Sequence, residues 1–112
     1  MKYSLLNEND VTVLKIEQNR ATFETTKEFR QNLTKLIDQN KWRKLVIDMS
    51  NVEFADSSFL GSLITGLKKI TSNQGDIRLF GLQAAVKTMV ELTRLYRVFE
   101  IFNTKEEALN SF

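Results

Sequence analysis

The residues best placed to carry chemistry are Asp56, Ser57 and Ser58, which stand together where an apolar connector meets a helical pattern. Backbone amides at the start of a helix lack intrahelical partners and carry partial positive charge. A phosphate on a serine at this point would therefore meet ready hydrogen-bond donors. Asp and Ser are also the commonest helix N-caps, so a purely structural role for the same residues stays open.

A second group with possible chemistry is the pair Asp48 and Glu53, which brackets the connector. Paired carboxylates can act as acid and base, but such enzymes also need a cleft and further groups, and nothing gathers a third group nearby. Trp42 and Met89 are more typical of packing residues than of a ligand site. We therefore expect no catalytic residue in this chain.

The composition excludes several classes of site. The chain contains no His and no Cys. Cys/His zinc sites, Ser-His-Asp or Cys-His catalysis and disulfides are therefore impossible, although carboxylates could still bind Mg²⁺ or Ca²⁺. We expect no metal centre and no cofactor, and a free-standing enzyme is the least favoured interpretation.

The charge and hydropathy of the chain limit the classes of partner that we expect. Sixteen basic and 14 acidic residues give a net charge of +2, and the basic residues form short clusters separated by acids. Proteins that track phosphate backbones usually gather their positive charge into a stripe, so we expect no nucleic-acid binding. No apolar run approaches the roughly 18 to 20 residues that span a bilayer, and residues 1–10 lack a signal-peptide core. We expect a cytoplasmic protein with no direct membrane insertion.

The elements that position Asp56 follow from periodicity. Residues 3–6 and 11–16 alternate as strands joined by the polar turn 7–10. Thr25 and Glu28 then have the spacing of a capping box. The helix that follows has one apolar stripe, formed by Phe29, Leu33, Leu36 and Ile37.

The central segment predicts a buried strand over 44–49, Val52 and Phe54 as buried connectors, and a helix that opens at residues 56–58. Gly61 and Gly66 are unfavourable inside a helix, which indicates close packing at both. The apolar stripe of this helix is Leu60, Leu63, Ile64, Leu67 and Ile70.

The last third predicts a left-handed turn at Gly75, a strand over 77–80, a helix over 83–95, a strand over 99–102 and a capping box at Thr104 and Glu107. Strands separated by helices of this length favour right-handed crossovers and a largely parallel sheet. The fold class is therefore α/β. We expect one compact domain over residues 1–112, with a mixed four- to five-stranded sheet and helices packed against it.

The segment 45–61, LVIDMSNVEFADSSFLG, resembles the central signature of the STAS family, which comprises bacterial anti-sigma factor antagonists and their relatives. In that family a strand of type LVIDLS leads through a V-x-F connector to a D-S-S-G-L-G loop and helix. Segments 81–86 and 92–99, and the residues after them, are similar to the family's third helix, closing strand and last helix. The resemblance covers most of the chain from Val11 onward.

The resemblance implies that Ser57 is a regulatory phosphorylation site, with Ser58 as the second choice. It implies that the unphosphorylated protein binds an anti-sigma factor that is also a serine kinase of the histidine-kinase-like ATPase type. Phosphorylation would release that partner, and a metal-dependent serine phosphatase would reset the protein. The implied partner-binding residues are Asp56, Ser57, Ser58, Phe59, Gly61 and Ser62.

Two residues depart from the family pattern, and one alternative function remains. Phe59 replaces the usual small residue, most often Gly, after the two serines. Because it is out of phase with the apolar stripe, we expect it to be partly exposed and part of a docking surface, or else packed on Phe54 or the third helix. Arg94 stands where Gly is common. The alternative function is a non-phosphorylated scaffold subunit of a membrane transporter ATPase complex.

Overall fold

The computed structural model describes all 112 residues, and its centre is a five-stranded sheet. The strands of this sheet lie in the order β1 (Tyr3–Glu8), β2 (Val11–Ile16), β4 (Lys44–Asp48), β6 (Asp76–Phe80) and β7 (Glu100–Phe102). β1 pairs antiparallel with β2, and the other neighbours are parallel. The α/β fold with a mixed sheet is therefore confirmed. The other two strands are β3 Arg20–Ala21 and β5 Phe54–Ala55.

Four helices cover the sheet, and none of them has the length and apolar character needed to cross a membrane. Their bounds are α1 Phe23–Asn40, α2 Ser57–Thr71, α3 Ala84–Leu92 and α4 Lys105–Asn110. Successive strand residues point to opposite faces of a sheet. The face packed with α1 and α2 carries Leu14, Ile16, Leu45, Ile47, Ile77 and Leu79. The face covered by Ala108 of α4 carries Val11, Val13, Val46 and Phe80.

Helices α1 and α2 lie side by side and parallel. The amide of Phe23, at the start of α1, binds the Asp56 carboxylate at the start of α2. Toward their other ends, the Lys69 ammonium lies 3.2 Å from the Asp38 carboxylate. The starts of both helices are therefore held together at one end of the groove between them.

The start of α1 differs from the prediction. Its N-cap is Thr22, which has an extended backbone and makes no side-chain cap bond. The amides of Thr25 and Thr26 donate to the Thr22 carbonyl, so Thr25 is already inside the helix and the capping box predicted at Thr25 and Glu28 is wrong. The similar prediction at the C-terminus is confirmed, because Thr104 and Glu107 make both reciprocal bonds of a capping box.

The connector before α2 contains a short pairing that periodicity does not reveal. Strands β3 and β5 form a parallel pair of two residues each, with Ala21 opposite Ala55. The pairing leaves Phe54 40% exposed, so the prediction of a buried Phe54 is wrong, whereas Val52 is buried as expected. A strand of two residues is too short to show the alternation of apolar and polar residues by which strands are recognised in a sequence.

Two turns also differ in detail. The left-handed residue after α2 is Gln74, with φ of 63°, and not Gly75. Gly75 is needed for space, since a Cβ there would lie 2.6 Å from the Cα of Arg43. The third helix ends at Leu92 instead of 95, and the left-handed Arg94, with φ of 59°, leads into a single 3-10 turn.

The two glycines inside α2 have different surroundings. A Cβ at Gly66 would lie 2.6 Å from Cδ2 of Leu33 on α1, so the predicted close packing is confirmed there. A Cβ at Gly61 would meet only Nη2 of Arg30, at 3.9 Å, so the same prediction is wrong at Gly61. The groove between the helices is tight at Gly66 and has room at Gly61.

Substituting each glycine by alanine tests this difference. We expect Gly66→Ala to lower the free energy of unfolding by about 1–3 kcal/mol, because the buried Leu33 has little freedom to withdraw. The matched variant Gly61→Ala is expected to raise it by up to about 1 kcal/mol through helix propensity. Urea unfolding at neutral pH measures both. Equal effects of the two substitutions would contradict the packing described here.

Candidate functional site

The site is built around the carboxylate of Asp56, at the point where the connector from β4 ends and α2 begins. Asp56 is the N-cap of α2, and its Oδ1 accepts hydrogen bonds from the Phe59 amide (3.1 Å) and the Ser58 hydroxyl (2.6 Å). Its Oδ2 accepts a hydrogen bond from the amide of Phe23, 2.8 Å away. One side chain thus satisfies free donors at the starts of two helices.

These hydrogen bonds set the ionisation of Asp56. Burial alone would raise the pKa of its carboxyl group. The hydrogen bond from the Ser58 hydroxyl, together with those from the amides of Phe59, Phe23 and Ser58, outweighs that effect and lowers the pKa from its ordinary value of 3.8. At neutral pH the site therefore contains a fixed negative charge whose oxygens are already engaged.

The two serines have different environments. Ser57 is the first residue of α2, is exposed, and its hydroxyl has no hydrogen-bond partner within the chain. Ser58 is half-buried, and its hydroxyl donates to Asp56. An approaching molecule therefore finds the Ser57 oxygen accessible, whereas the Ser58 oxygen is held inside the cap.

Phe59 contradicts the prediction made for it. Its side chain is fully buried, and its ring stacks on Phe29 of α1 with 5.6 Å between ring centroids. The prediction that Phe59 is partly exposed is therefore wrong, and its ring packs on α1. The reason is that α2 packs against α1 as well as the sheet, which buries a second side of the helix.

Ser62 also lies outside any accessible surface. It is fully buried, and its hydroxyl donates to the carbonyl of Phe59. The burial of Ser62 therefore gives no support to its predicted contact with a partner. Gly61 is only partly buried and remains at the groove between α1 and α2.

Sequence reasoning missed two aromatic residues near Asp56. Phe23, whose amide binds the Asp56 carboxylate, has a side chain that is 70% exposed. Phe54 is 40% exposed, and the guanidinium of Arg20 lies 4.8 Å from the centre of its ring. Phe54 stands two residues before Asp56, while Phe23 comes close only through the fold. Two exposed aromatic residues therefore stand near the Asp56 cap, one of them through the chain and the other through the fold.

The second carboxylate pair has a structural explanation. Asp48 is buried at the end of β4, and its Oδ1 accepts from the amide (2.9 Å) and the hydroxyl (2.6 Å) of Ser50. Glu53 is exposed. Asp48 therefore stabilises the turn after β4.

A family model and several known proteins are similar to this chain. A family model described as the STAS domain matches residues 4–108. The anti-sigma-B factor antagonist of Listeria monocytogenes is 33% identical over 63 residues, which are 56% of this chain and 55% of that protein. This match therefore covers about half of the relative's length.

Two solved structures share the fold along nearly the whole chain. An anti-sigma-factor antagonist (STAS) domain protein from Planctomyces limnophilus is 26% identical, with a TM-score of 0.88, and the match covers 97% of this chain and 96% of that one. An anti-sigma factor antagonist from Mycobacterium paratuberculosis has a TM-score of 0.86 at 23% identity, covering 98% and 92%, and this likeness shows the fold alone.

The role of Asp56 can be tested by stability measured against pH. We expect Asp56→Ala to lower the free energy of unfolding at pH 7 by about 1–2 kcal/mol, because an N-cap is lost and the Phe23 amide loses its acceptor. Since the folded state lowers the Asp56 pKa, its ionised form stabilises the fold above pH 3.8, and this contribution is lost as the pH falls through the lowered value.

The stability difference between wild type and Asp56→Ala should therefore narrow as the pH falls below about 4. Urea unfolding between pH 7 and pH 3 measures it. Glu53→Ala, at a neighbouring exposed carboxylate, is the matched control and should change stability by no more than about 0.5 kcal/mol. A difference for Asp56→Ala that stays constant down to pH 3 would contradict the role assigned to its carboxylate.

Proposed function

We propose, from the premise that this chain belongs to the STAS domain family, that it is an anti-sigma factor antagonist. The family match over residues 4–108 confirms the resemblance inferred from segment 45–61. On this proposal the chain supplies a binding surface and no catalytic chemistry. The observation that carries the proposal is the exposed, unengaged hydroxyl of Ser57 at the first residue of α2.

The proposed mechanism is a phosphorylation switch. The unphosphorylated protein binds an anti-sigma factor that is a serine kinase of the histidine-kinase-like ATPase type. The kinase transfers the γ-phosphoryl group of ATP to the Ser57 oxygen, the hydroxyl proton is released, and ADP leaves. The phosphoprotein dissociates, and a metal-dependent serine phosphatase hydrolyses the phosphate ester.

The electrostatics of the site support such a switch. Phosphorylation adds about 1.5 to 2 negative charges and a tightly held hydration shell. Because Ser57 lies beside a fixed carboxylate and exposed aromatic surface, docking a partner over the phosphate would require its desolvation next to like charge. That cost exceeds the roughly 1.4 kcal/mol that changes an affinity tenfold.

The burial of Phe59 also supports the proposal. A bulky side chain beside Ser57 would obstruct a kinase if it pointed outward. The ring instead packs against Phe29, and Ser57 stays exposed. The aromatic replacement therefore leaves the usual approach to the serine open.

We propose that the docking surface consists of an aromatic rim around the cap. Large aromatic side chains often carry much of the binding energy at interfaces. Phe23 and Phe54 fit this role because both are exposed near Asp56, Phe23 at 70% and Phe54 at 40% beside the Arg20 guanidinium. The proposed surface comprises Phe23, Phe54, Asp56, Ser57, Ser58 and Gly61.

The switch predicts opposite behaviour for two variants of Ser57. Ser57→Glu is expected to weaken binding of the cognate anti-sigma factor at least tenfold, because it places a charge in the contact, whereas Ser57→Ala should bind like wild type. Isothermal titration calorimetry measures both. Ser72→Glu, at an exposed serine after the last residue of α2, is a matched control and should leave binding unchanged.

The same kinase supplies a direct check. After incubation with kinase and ATP, mass spectrometry should find one phosphate on wild type and on Ser58→Ala, and none on Ser57→Ala. Wild-type affinity for both Ser57 variants, or phosphate found only on Ser58, would refute the switch at Ser57.

The aromatic rim predicts a loss of binding without a loss of stability. Phe23→Ala should weaken binding of the unphosphorylated protein about tenfold, while its free energy of unfolding changes by about 0.5 kcal/mol or less. Calorimetry and urea unfolding measure the two quantities. Leu92→Ala, at another exposed apolar side chain, is the control and should affect neither. Unchanged binding by Phe23→Ala would remove that residue from the docking surface.

A further inference from the structure

Arg30 is a cation without a partner in the groove between α1 and α2. None of the five ion pairs in the chain includes it. Its Nε is buried and has no hydrogen-bond partner, although the side chain as a whole is only partly buried. Its Nη2 lies 3.9 Å from the position that a Cβ would occupy at Gly61.

An unsatisfied donor of this kind is unusual in a folded protein. Buried polar groups are nearly always hydrogen-bonded, because an unpaired one keeps the cost of losing its water. The missing partner of a guanidinium is typically a carboxylate or a phosphate, which its planar fork of donors binds with two parallel hydrogen bonds. Arg30 therefore has the features of a residue that could bind a carboxylate or a phosphate.

Ser57, whose exposed hydroxyl has no partner within the chain, is a residue on α2 that could acquire such a group. Ser57 and Gly61 are four residues apart on α2, so they are neighbours on one side of the helix, with about 5–6 Å between their Cβ positions. Gly61 has no side chain to separate the guanidinium from the serine. Ser58 is a similar distance from Gly61, but its hydroxyl is held by Asp56.

We propose that Arg30 binds the phosphate of phosphorylated Ser57 and thereby completes the switch. This inference rests on the proposed function in one respect, namely that Ser57 is the modified residue. The cation favours the doubly charged phosphate, so the modified protein carries nearly two added charges at neutral pH. Pairing also draws the guanidinium out of the groove and toward the helix start, which changes the surface that a partner meets.

The pairing can be measured without a kinase. Phosphoserine installed at position 57 during translation gives a uniform phosphoprotein, and ³¹P NMR follows its second ionisation against pH. A nearby cation stabilises the dianion, so we expect this second pKa to be about 0.5 unit or more lower in the chain with Arg30 than in Arg30→Gln. Arg43→Gln, which removes the same charge at the start of β4, is the matched control and should leave the pKa unchanged.

A second measurement uses the unsubstituted chain, in case Arg30→Gln fails to fold. The Nε–H signal of Arg30 in ¹⁵N NMR should shift and become protected from solvent exchange when Ser57 carries phosphate. Equal phosphoserine pKa values with and without Arg30 would overturn the proposal, and so would an unchanged Arg30 signal.

The outcomes also separate this proposal from the proposed function. If Arg30→Gln weakens binding of the unphosphorylated protein but leaves the phosphoserine pKa unchanged, Arg30 is a docking contact and the phosphate proposal is wrong. If the pKa depends on Arg30 but Ser57→Glu binds the anti-sigma factor like wild type, the contact stands and the switch in partner binding is refuted.

Discussion

The site depends on one carboxylate that serves two helices. Asp56 caps α2 with Oδ1 and binds the first amide of α1 with Oδ2. Thr22, the N-cap of α1, makes no side-chain cap bond, so the start of α1 takes its acceptor from a residue 33 positions later in the chain. This bond holds the starts of α1 and α2 together, and it brings Phe23 to the Asp56 cap.

The same carboxylate explains why one serine is free and its neighbour is not. Ser58 donates its hydroxyl to Asp56, whereas Ser57, at the first position of α2, is exposed and makes no side-chain hydrogen bond to it. A phosphate on Ser57 would lie close to the negative charge of Asp56. The charge of Asp56 is stabilised by its hydrogen-bond donors and by the partial positive charge of two helix starts, which moderates the repulsion within the protein.

Local patterns predicted what local interactions determine. The strand over 44–49, the helix start at residues 56–58 and the capping box at Thr104 depend on neighbours within a few residues, and all were found. The capping box predicted at Thr25 and Glu28 had the same residue types as the one at Thr104 and Glu107, but it was wrong. Helix α1 already begins at Phe23, whose amide binds the distant Asp56.

Phe59 was misplaced for a related reason. A single apolar stripe assumes that a helix buries one side, and α2 buries two, one against the sheet and one against α1. Which side of α2 meets α1 depends on tertiary packing that periodicity does not contain. The exposed Phe23 was overlooked because it is far from Asp56 in the sequence and comes near it only in the folded chain.

The aromatic residue at position 59 has a consequence for the whole groove between α1 and α2. Its ring stacks on Phe29, and one to two turns further along, Leu33 occupies the space that Gly66 leaves open. These two contacts, between Phe29 and Phe59 and between Leu33 and Gly66, fix the position of α1 along α2.

Arg30 lies between these two contacts in the sequence of α1, just as Gly61 lies between them in α2. The register set by the apolar pairs therefore places the Arg30 guanidinium against Gly61, which lies four residues after Ser57 on α2. A different slide of the helices would move Arg30 away from the serine while leaving the sheet intact. Phe59, which departs from the family pattern, is thus part of what positions the Arg30 guanidinium against Gly61.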